Sequence, residues 1–280
     1  MFEILTKRAL NPTVTQMEIF APQVAKKALA GQFIILRTDA QGERIPLTVA
    51  GVDVARGAVC IIFQRVGATT QRLHHLQVGD TLCDFVGPLG TPSKLAGIKK
   101  AAVVGGGVGC AIALPVAAAL HNMGAQVDAI TGFRSKDLVI LQNEFAAAST
   151  NLYTVTDDGT FGQKGLVTDI LRTLLATGAA YDEVFAIGPL IMMKFVCALT
   201  KEFAVKTTVS MNPIMIDGTG MCGCCRLQVG GEMKFACVDG PEFDGHQVDF
   251  DEAINRAGAY RAFEKERHEE TCNLFLKGVQ

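Results

Sequence analysis

The feature of this sequence that most limits its possible folds is a change of pattern near residue 98. Before that point, short runs rich in Val, Ile, Phe and Thr are separated by turn residues. These runs are QFIILRT, IPLTVAGVD, GAVCIIFQRVG and DTLCDFVGP. Strands at this spacing, without intervening helices, predict a small β-barrel or sandwich.

Beyond residue 98 the strand-like runs are separated by longer intervals. The runs are AAVVGGG, AQVDAITGF, NLYTVTDD, EVFAIGP and KTTVSMN. Most intervals can hold a helix, so this part predicts a parallel sheet with crossover helices. We therefore expect three segments: a β-barrel over 1–97, an α/β domain over 98–212, and a cysteine-rich segment with a C-terminal helix over 213–280.

Composition narrows the possible classes of function. Hydrophobic residues make up 49% of the 280 residues and the net charge is -2, which gives no reason to expect a nucleic-acid partner. No basic run suggests a lipid surface, and the N-terminus lacks the apolar stretch of a signal peptide. The nine cysteines are an odd number and mostly scattered, so a reducing cytoplasm is expected.

One segment has the length and the lack of charge of a membrane span. Residues 101–120, AAVVGGGVGCAIALPVAAAL, contain no charged residue and could in principle cross a bilayer. Four glycines in its middle and Pro115 favour a strand, a glycine turn and a buried helix instead. No membrane span is therefore expected.

The glycine turn VVGGGVG lies between a strand-like and a helix-like run. Glycine there allows close approach to a phosphate at the helix N-terminus, although tight packing would explain the same residues. Cys110 replaces the third glycine of the usual fingerprint, and Arg134 and Lys136 follow the next strand where NAD enzymes commonly carry an acid. The residues Ala186–Pro189 should reach the same sheet edge, whereas Asp157 and Asp158 are explained most simply as a solvated turn.

The segment MIDGTGMCGCCRLQVGGEMKFACVDG, residues 215–240, concentrates four cysteines. A hairpin turning at Gly230–Gly231 would return Cys237 to the pair Cys222-x2-Cys225. Asp217 precedes Cys222 by five positions, so the pattern is D-x4-C-x2-C-x11-C. This matches plant-type [2Fe–2S] spacing with aspartate in the first ligand position.

Zinc, a disulfide and inert buried thiols remain open as alternatives for this segment. Zinc could bind Cys222, Cys225 and Cys237 with Asp217 or His246, and Cys224 could itself be a ligand of a metal centre. The spacing favours the iron–sulfur centre. The remaining cysteines stand singly in apolar runs and are expected in the core: Cys60, Cys83, Cys110, Cys197 and Cys272.

Seven motifs, in order, resemble one known family along essentially the whole chain. They are GERIPLTVA, VGPLGTPS, VVGGGVGCAIALP, GFRSKDL, TDDGTFGQKGLVTD, IGPLIMMK and MNPIMIDGTGMCGCCR with FACVDGPEFDGHQVDFDE. The chain resembles the ferredoxin-NADP reductase superfamily and, within it, the small subunits of electron-bifurcating NADH-dependent ferredoxin:NADP oxidoreductases, also described as sulfide dehydrogenases. Aspartate in the first ligand position is similar to these subunits, whereas dihydroorotate dehydrogenase electron-transfer subunits have cysteine there.

The resemblance implies three groups of cofactor-binding residues and no catalytic side chain, because FAD would perform the hydride chemistry. In the barrel, the Arg44 guanidinium would pair with the FAD pyrophosphate. The implied FAD contacts are Arg44, Pro46, Leu47, Thr48, Val66, Gly67, Thr70, Gly87, Leu89 and Gly90. The implied NAD(H) contacts are Gly105, Gly106, Gly107, Gly109, Arg134, Asp157, Gly188 and Pro189. The implied cluster ligands are Asp217, Cys222, Cys225 and Cys237.

The resemblance also implies a function and partners. The chain would exchange hydride between NAD(H) and FAD, and single electrons between FAD and the [2Fe–2S] cluster. A larger flavoprotein subunit with [4Fe–4S] clusters would be its partner, and ferredoxin would be served through that partner. Alternatives are an electron-transfer subunit of dihydroorotate dehydrogenase or of a sulfur-reducing hydrogenase, and a zinc-stabilised nucleotide-binding regulator.

Overall fold

The first part of the chain is a mainly antiparallel β-structure. The structure, a computed structural model, describes residues 2–260 and 262–266. The strands are β1 (Phe2–Ala9), β2 (Val14–Phe20), β3 (Phe33–Arg37), β4 (Ile45–Asp53), β5 (Ala58–Gln64), β6 (Thr81–Leu82) and β7 (Asp84–Leu89). Two helices interrupt them, α1 (Pro22–Ala25) and α2 (Ala68–His75). The runs predicted as strands are confirmed, whereas β1, β2 and the two helices α1 and α2 were not predicted.

These seven strands form a nearly closed barrel. Their order is β6-β1-β2-β5-β4-β3-β7, so β6 and β7 are the two edges of the sheet. Only Cys83 separates these edges along the chain, and its N–H donates to the Arg37 carbonyl on β3 at 3.0 Å. The Phe2 ring on β1, next to the edge strand β6, lies 5.7 Å between centroids from the Phe85 ring on the edge strand β7. Both edges therefore share one apolar interior.

The second part is an α/β sheet. Its strands are β8 (Lys100–Gly106), β9 (Gln126–Phe133), β10 (Asn151–Thr156), β11 (Gln163–Lys164), β12 (Glu183–Ile187) and β13 (Thr207–Ser210). Its helices are α3 (Gly109–Asn122), α4 (Gln142–Ala147), α5 (Val167–Ala176) and α6 (Leu190–Glu202), with a 3₁₀ turn at Lys136–Leu138. The order β11-β10-β9-β8-β12-β13 is parallel throughout. This arrangement, together with the barrel, confirms the predicted fold class.

The apolar stretch at residues 101–120 is a strand, a turn and a helix, as predicted. β8 ends at Gly106 and α3 begins at Gly109. The buried side of α3, which includes Cys110 and Leu120, packs against one face of the sheet. Across residues 2–260 and 262–266, no helix combines the length and apolar character that crossing a membrane requires.

The cysteine-rich segment joins the second sheet instead of standing apart from it. It contains the strands β14 (Arg226–Val229), β15 (Glu232–Phe235) and β16 (Glu242–Asp244) and the helix α7 (Phe250–Ala257). β14 and β15 form a separate hairpin, while β16 pairs antiparallel with β13 and becomes an edge of the sheet. Asp249 caps α7 by accepting from the Glu252 N–H at 2.9 Å.

The single cysteines only partly follow the prediction of core positions. Cys110 and Cys197 are buried, Cys60 is partly buried, and Cys83 is exposed. The prediction for Cys83 is wrong because this residue links the two edge strands of the barrel, where its side chain reaches solvent. Cys272 and the rest of the tail expected to be helical beyond residue 266 lie outside the described residues.

Candidate functional site

The main cleft lies where the strand order of the parallel sheet reverses. β8 and β12 are neighbours, and the helices that follow them, α3 and α6, pack on opposite faces of the sheet. Ligands bind at such switch points in α/β sheets. A cleft of about 900 Å³ opens there. Its lining includes Gly106, Gly107, Gly109, Gly188 and Pro189, all expected from the sequence, but not Gly105.

Two glycines of this turn, Gly105 and Gly109, are required because a larger residue would collide with neighbouring atoms. A Cβ on Gly109 would lie 2.6 Å from the Gly188 Cα, and one on Gly105 would lie 2.9 Å from the Cys110 Sγ. Gly107 instead has a left-handed φ of 55°, which favours glycine for conformational reasons. The close packing also brings the start of α3 to the cleft, and the positive end of a helix dipole favours an anion there.

Two charged residues from neighbouring strand ends reach the same cleft. Arg134 follows β9, Asp157 follows β10, and both line the cleft. The Asp157 N–H donates to the Phe133 carbonyl at 3.0 Å, which holds the two strand ends together. Asp158 accepts hydrogen bonds from the Thr160 hydroxyl and N–H, which lower the pKa of Asp158. Asp158 therefore stabilises its own turn, as expected, while Asp157 supplies a carboxylate to the cleft.

The FAD residues predicted on the barrel come together across three strands. Thr48 on β4 and Leu89 on β7 both pair with Phe33 on the intervening strand β3. Pro46 and Leu47 lie on β4 beside Thr48, so these predicted contacts occupy one region of the barrel wall. Arg44 directly precedes β4, and its Nη1 lies 3.8 Å from the Asp84 carboxylate.

The glycines on and beside β7 have packing roles in this region. A Cβ on Gly87 would approach the Ile34 Cγ2 to 2.6 Å, and one on Gly90 would lie 2.9 Å from the Pro241 Cδ. Gly90 also has a left-handed φ of 76°. Gly90 is thus a point where the barrel contacts the cysteine-rich segment, and glycine there allows the two to pack closely.

The beginning of α2 supplies the other predicted FAD residues. The Thr70 Oγ1 accepts hydrogen bonds from the N–H groups of Val66 and Gly67 at 3.1 Å. This side chain therefore shapes the turn before the helix. A Cβ on Gly67 would meet no atom within 4 Å. The backbone at Gly67 is consequently open to a ligand, which fits a phosphate group approaching the helix N-terminus.

Sequence reasoning missed several residues that line these sites. A polar cavity of about 240 Å³ is enclosed by Gln41, Glu43, Ala68, Thr69 and Arg72. The Thr69 hydroxyl donates to Glu43 at 2.8 Å and ties α2 to the segment before Arg44. The main cleft also has barrel residues in its lining, among them Asn11, Thr13 and Gln64. Asn11 and Thr13 lie between β1 and β2, which were not predicted, and Gln64 ends the predicted strand β5 without any motif that marks a ligand contact.

The cysteine hairpin forms as predicted. Gly230 and Gly231 have left-handed φ angles of 62° and 79°, between the paired residues Val229 and Glu232, as a type I′ turn requires. The hairpin returns Cys237 to Cys225, and the two thiols are in hydrogen-bond contact. Burial raises the pKa of Cys237 to about 12.

The second half of the candidate ligand set lies on the loop before the hairpin. Cys222 is exposed, and the backbone N–H groups of Cys224, Asp217 and Ile216 point at its sulfur and lower the pKa of Cys222. The Asp217 carboxylate accepts from the Thr219 hydroxyl and N–H, which lower the pKa of Asp217. The Cys224 thiol is in hydrogen-bond contact with Cys222.

This donor set fits a two-iron cluster better than zinc. Structural zinc needs three or four side chains that converge on one ion, and no such group of three His, Cys, Asp or Glu residues occurs in the described part of the chain. His246 is engaged elsewhere, with its Nε2 3.0 Å from the Thr200 Oγ1. A [2Fe–2S] cluster has four ligands, two on each iron. Cys225 with Cys237, and Cys222 with the nearby Asp217, provide two pairs of donors, with loop N–H groups directed at the Cys222 sulfur.

Comparison with known proteins identifies relatives of the whole chain. Residues 212–249 match the iron–sulfur cluster binding domain of dihydroorotate dehydrogenase B. A Clostridium beijerinckii protein described as uncharacterized is 50% identical over 94% of this chain and 92% of its own length. The Thermotoga maritima homolog of the dihydroorotate dehydrogenase B (NAD(+)) electron transfer subunit is 45% identical over 95% of this chain and 94% of its own length.

A solved structure is similar over nearly the same extent. It is a chain from a structure of an NADH-dependent reduced ferredoxin-NADP oxidoreductase, described in connection with flavin-based electron bifurcation. The two chains share 43% identity, with a TM-score of 0.92 over 96% of this chain and 97% of that one. Barrel, parallel sheet and cysteine-rich segment are therefore matched together.

Proposed function

The chain belongs to the family of dihydroorotate dehydrogenase B electron-transfer subunits and their homologues, and on that basis we propose that it is an iron–sulfur flavoprotein subunit. It exchanges hydride between NAD(H) and FAD, and single electrons between FAD and a [2Fe–2S] cluster. The larger enzyme is a flavin-based electron-bifurcating NADH-dependent ferredoxin:NADP oxidoreductase. The observation that carries the proposal is the 43% identity and TM-score of 0.92 with a structure of such an oxidoreductase.

The barrel residues would bind and orient the flavin. FAD, when bound, supplies the hydride and one-electron chemistry. Arg44 would pair with the pyrophosphate, because a guanidinium binds phosphate oxygens in a bidentate manner. The open backbone at Gly67 and the turn held by Thr70 would admit the same group at the start of α2. We assign residues 1–97 to this role.

The α/β part, residues 98–212, would bind NAD(H) in the cleft at the switch point. The start of α3 would receive the pyrophosphate, since Gly107 and Gly109 line the cleft and a helix N-terminus favours an anion. Asp157 would accept hydrogen bonds from ribose hydroxyls and would repel a 2′-phosphate, which favours NAD(H), while Arg134 offers a balancing cation. We assign cluster binding to residues 213–280, with the ligands Asp217, Cys222, Cys225 and Cys237.

The proposed partner is a larger flavoprotein subunit that carries [4Fe–4S] clusters and serves ferredoxin. A related second candidate is an electron-transfer subunit acting with a dihydroorotate dehydrogenase. The match of residues 212–249 to the cluster-binding domain of that enzyme favours it, whereas aspartate at position 217 favours the first candidate.

Anaerobic native purification of the full chain, with mass spectrometry of the proteins that copurify, separates these candidates. A large flavoprotein with additional cysteine motifs for [4Fe–4S] clusters is the expected result. A barrel-type dehydrogenase would instead establish the second candidate. A colourless chain without flavin absorbance or iron would refute both.

A further inference from the structure

Arg44 connects the two sites proposed for different cofactors. Its Nε donates to the backbone carbonyl of Ile216 at 2.9 Å, across 172 positions of sequence. Ile216 directly precedes Asp217, the proposed first ligand of the cluster. The same guanidinium faces Asp84 on β7, with its Nη1 3.8 Å from the carboxylate. One side chain therefore contacts the barrel wall and the cysteine loop together.

The cysteine loop also rests on the barrel next to this contact. A Cβ on Gly218 would lie 2.7 Å from the Ile35 Cδ1 and 2.8 Å from the Leu89 Cδ1. Gly218 has a left-handed φ of 85° and is buried. The backbone on both sides of Asp217 is thus fixed against β3, β7 and Arg44, so a movement of Arg44 would be transmitted to the ligand position.

The geometry of the Arg44 guanidinium allows it to bind the Ile216 carbonyl and an anion on the barrel at the same time. Arginine has five N–H donors in a rigid plane, and the Nε donor is directed to Ile216. The Nη groups remain for Asp84 and for an anion on the barrel. The Arg44 side chain is 34% exposed, so a phosphate group can reach it from solvent without displacing the bond to Ile216.

We propose that Arg44 is a positioning residue that couples flavin binding to cluster retention. A flavin pyrophosphate that engages the Nη groups restricts the side chain, and the restricted Nε then holds the Ile216 carbonyl and the backbone of Asp217 in place. Because coupling between binding sites is reciprocal, the loaded cluster should strengthen flavin binding by the same factor. The inference rests on the proposed function, since it requires both cofactors to bind this chain.

The test measures each cofactor in the presence and absence of the other. The FAD dissociation constant is determined by flavin fluorescence for the full chain with and without its reconstituted cluster. Iron release to a chelator is followed with and without saturating FAD. In the wild type, the loaded cluster should tighten FAD binding by about 10-fold, within the usual range of coupling between sites. Saturating FAD should slow iron release.

Substitution of Arg44 should remove the coupling more than the binding itself. In Arg44→Lys the positive charge remains but the planar fork and its Nε donor are lost. We expect weaker FAD binding, and a difference of less than about 2-fold between cluster-loaded and cluster-free protein. Arg37→Lys is the matched control, because Arg37 also binds Asp84, at 2.7 Å, and its other hydrogen bonds go to Ala40 and Cys83 on the barrel. This control should keep the wild-type coupling.

Three results would overturn the inference. They are an unaltered FAD affinity of the wild type on cluster loading, wild-type coupling in Arg44→Lys, or an equal loss of coupling in Arg37→Lys. The first comparison needs no variant, so the inference can be refuted even if Arg44→Lys does not fold. A wild-type chain that binds FAD and iron independently would refute the coupling and leave the proposed function standing. A wild-type chain that binds neither would refute the proposed function as well.

Discussion

Glu242 links stability to pH in this protein. It lies on β16, and its carboxylate accepts a hydrogen bond from the Ser93 hydroxyl at 2.7 Å, between the barrel and the α/β part. Burial, followed by the nearby charge of Glu183, raises the pKa of Glu242 from 4.5 to about 7. Glutamine at this position could keep the bond to Ser93 but never carries a charge. Glu242→Gln therefore isolates the effect of ionisation.

The size and sign of the effect follow from the raised pKa. The folded state binds the Glu242 proton more tightly than the unfolded state, so the contribution of Glu242 to stability is fully present below about pH 4.5 and is lost as the pH rises through about 7. At about 1.4 kcal/mol per pKa unit, the shift from 4.5 to about 7 corresponds to a loss of at most about 3–4 kcal/mol. Glu242 keeps partial exposure, and solvent screening reduces our expectation to about 1–2 kcal/mol.

Urea unfolding followed by far-UV circular dichroism tests this expectation, since the chain has no tryptophan for fluorescence. Glu242→Gln and the wild type should unfold at similar urea concentrations at pH 5. At pH 8 the variant should be more stable. Glu232→Gln serves as the control, because this side chain on β15 is 72% exposed and should give no such gain at high pH. A constant difference between Glu242→Gln and the wild type from pH 5 to pH 8 would refute the reasoning.

Four further substitutions test the sites and the sheet. Asp217→Cys should retain the cluster but shift its midpoint potential in an EPR-monitored redox titration, because ligand identity sets the potential of the cluster. An unchanged midpoint potential would contradict ligation by Asp217. Gly109→Ala should lower the free energy of unfolding in urea by about 1–3 kcal/mol, since its Cβ would meet the backbone at the end of β12. Gly67→Ala should weaken only flavin binding, because a Cβ there meets no atom within 4 Å. Tyr181→Phe should lower the free energy of unfolding by about 1–3 kcal/mol in the same assay, because the buried Asp128 carboxylate loses a 2.6 Å hydrogen bond. An unchanged free energy of unfolding would show that this bond is not stabilising.

Local sequence patterns predicted the fold class because each strand, turn or helix signal is contained within a short segment of the chain. The run predicted from IPLTVAGVD coincides with β4, Ile45–Asp53. The paired glycines at 230 and 231 predicted the hairpin turn because few other residues adopt two successive left-handed conformations. The charge-free segment at 101–120 was separated correctly into strand and helix by its glycines and Pro115.

The patterns failed where local signals were weak or where burial depends on distant residues. β1 contains the charged residues Glu3, Lys7 and Arg8, so its alternation is obscured, and it is fixed by pairing with β2 and β6. Cys83 stands in an apolar run, yet it lies at the junction of the two edge strands and is exposed. In both cases, the position in the barrel outweighs the local sequence.

The sequence by itself determined the order of the three segments, the strand-turn-helix at the main cleft and the spacing of the four candidate cluster ligands. Each of these depends on residues that are close together along the chain. Only the tertiary structure decided which residues of distant segments meet. It brought Cys237 to Cys225, set Asp157 beside Arg134, and brought Arg44 to Ile216. These contacts depend on strand pairing and loop packing across long separations, for which no short motif contains the information.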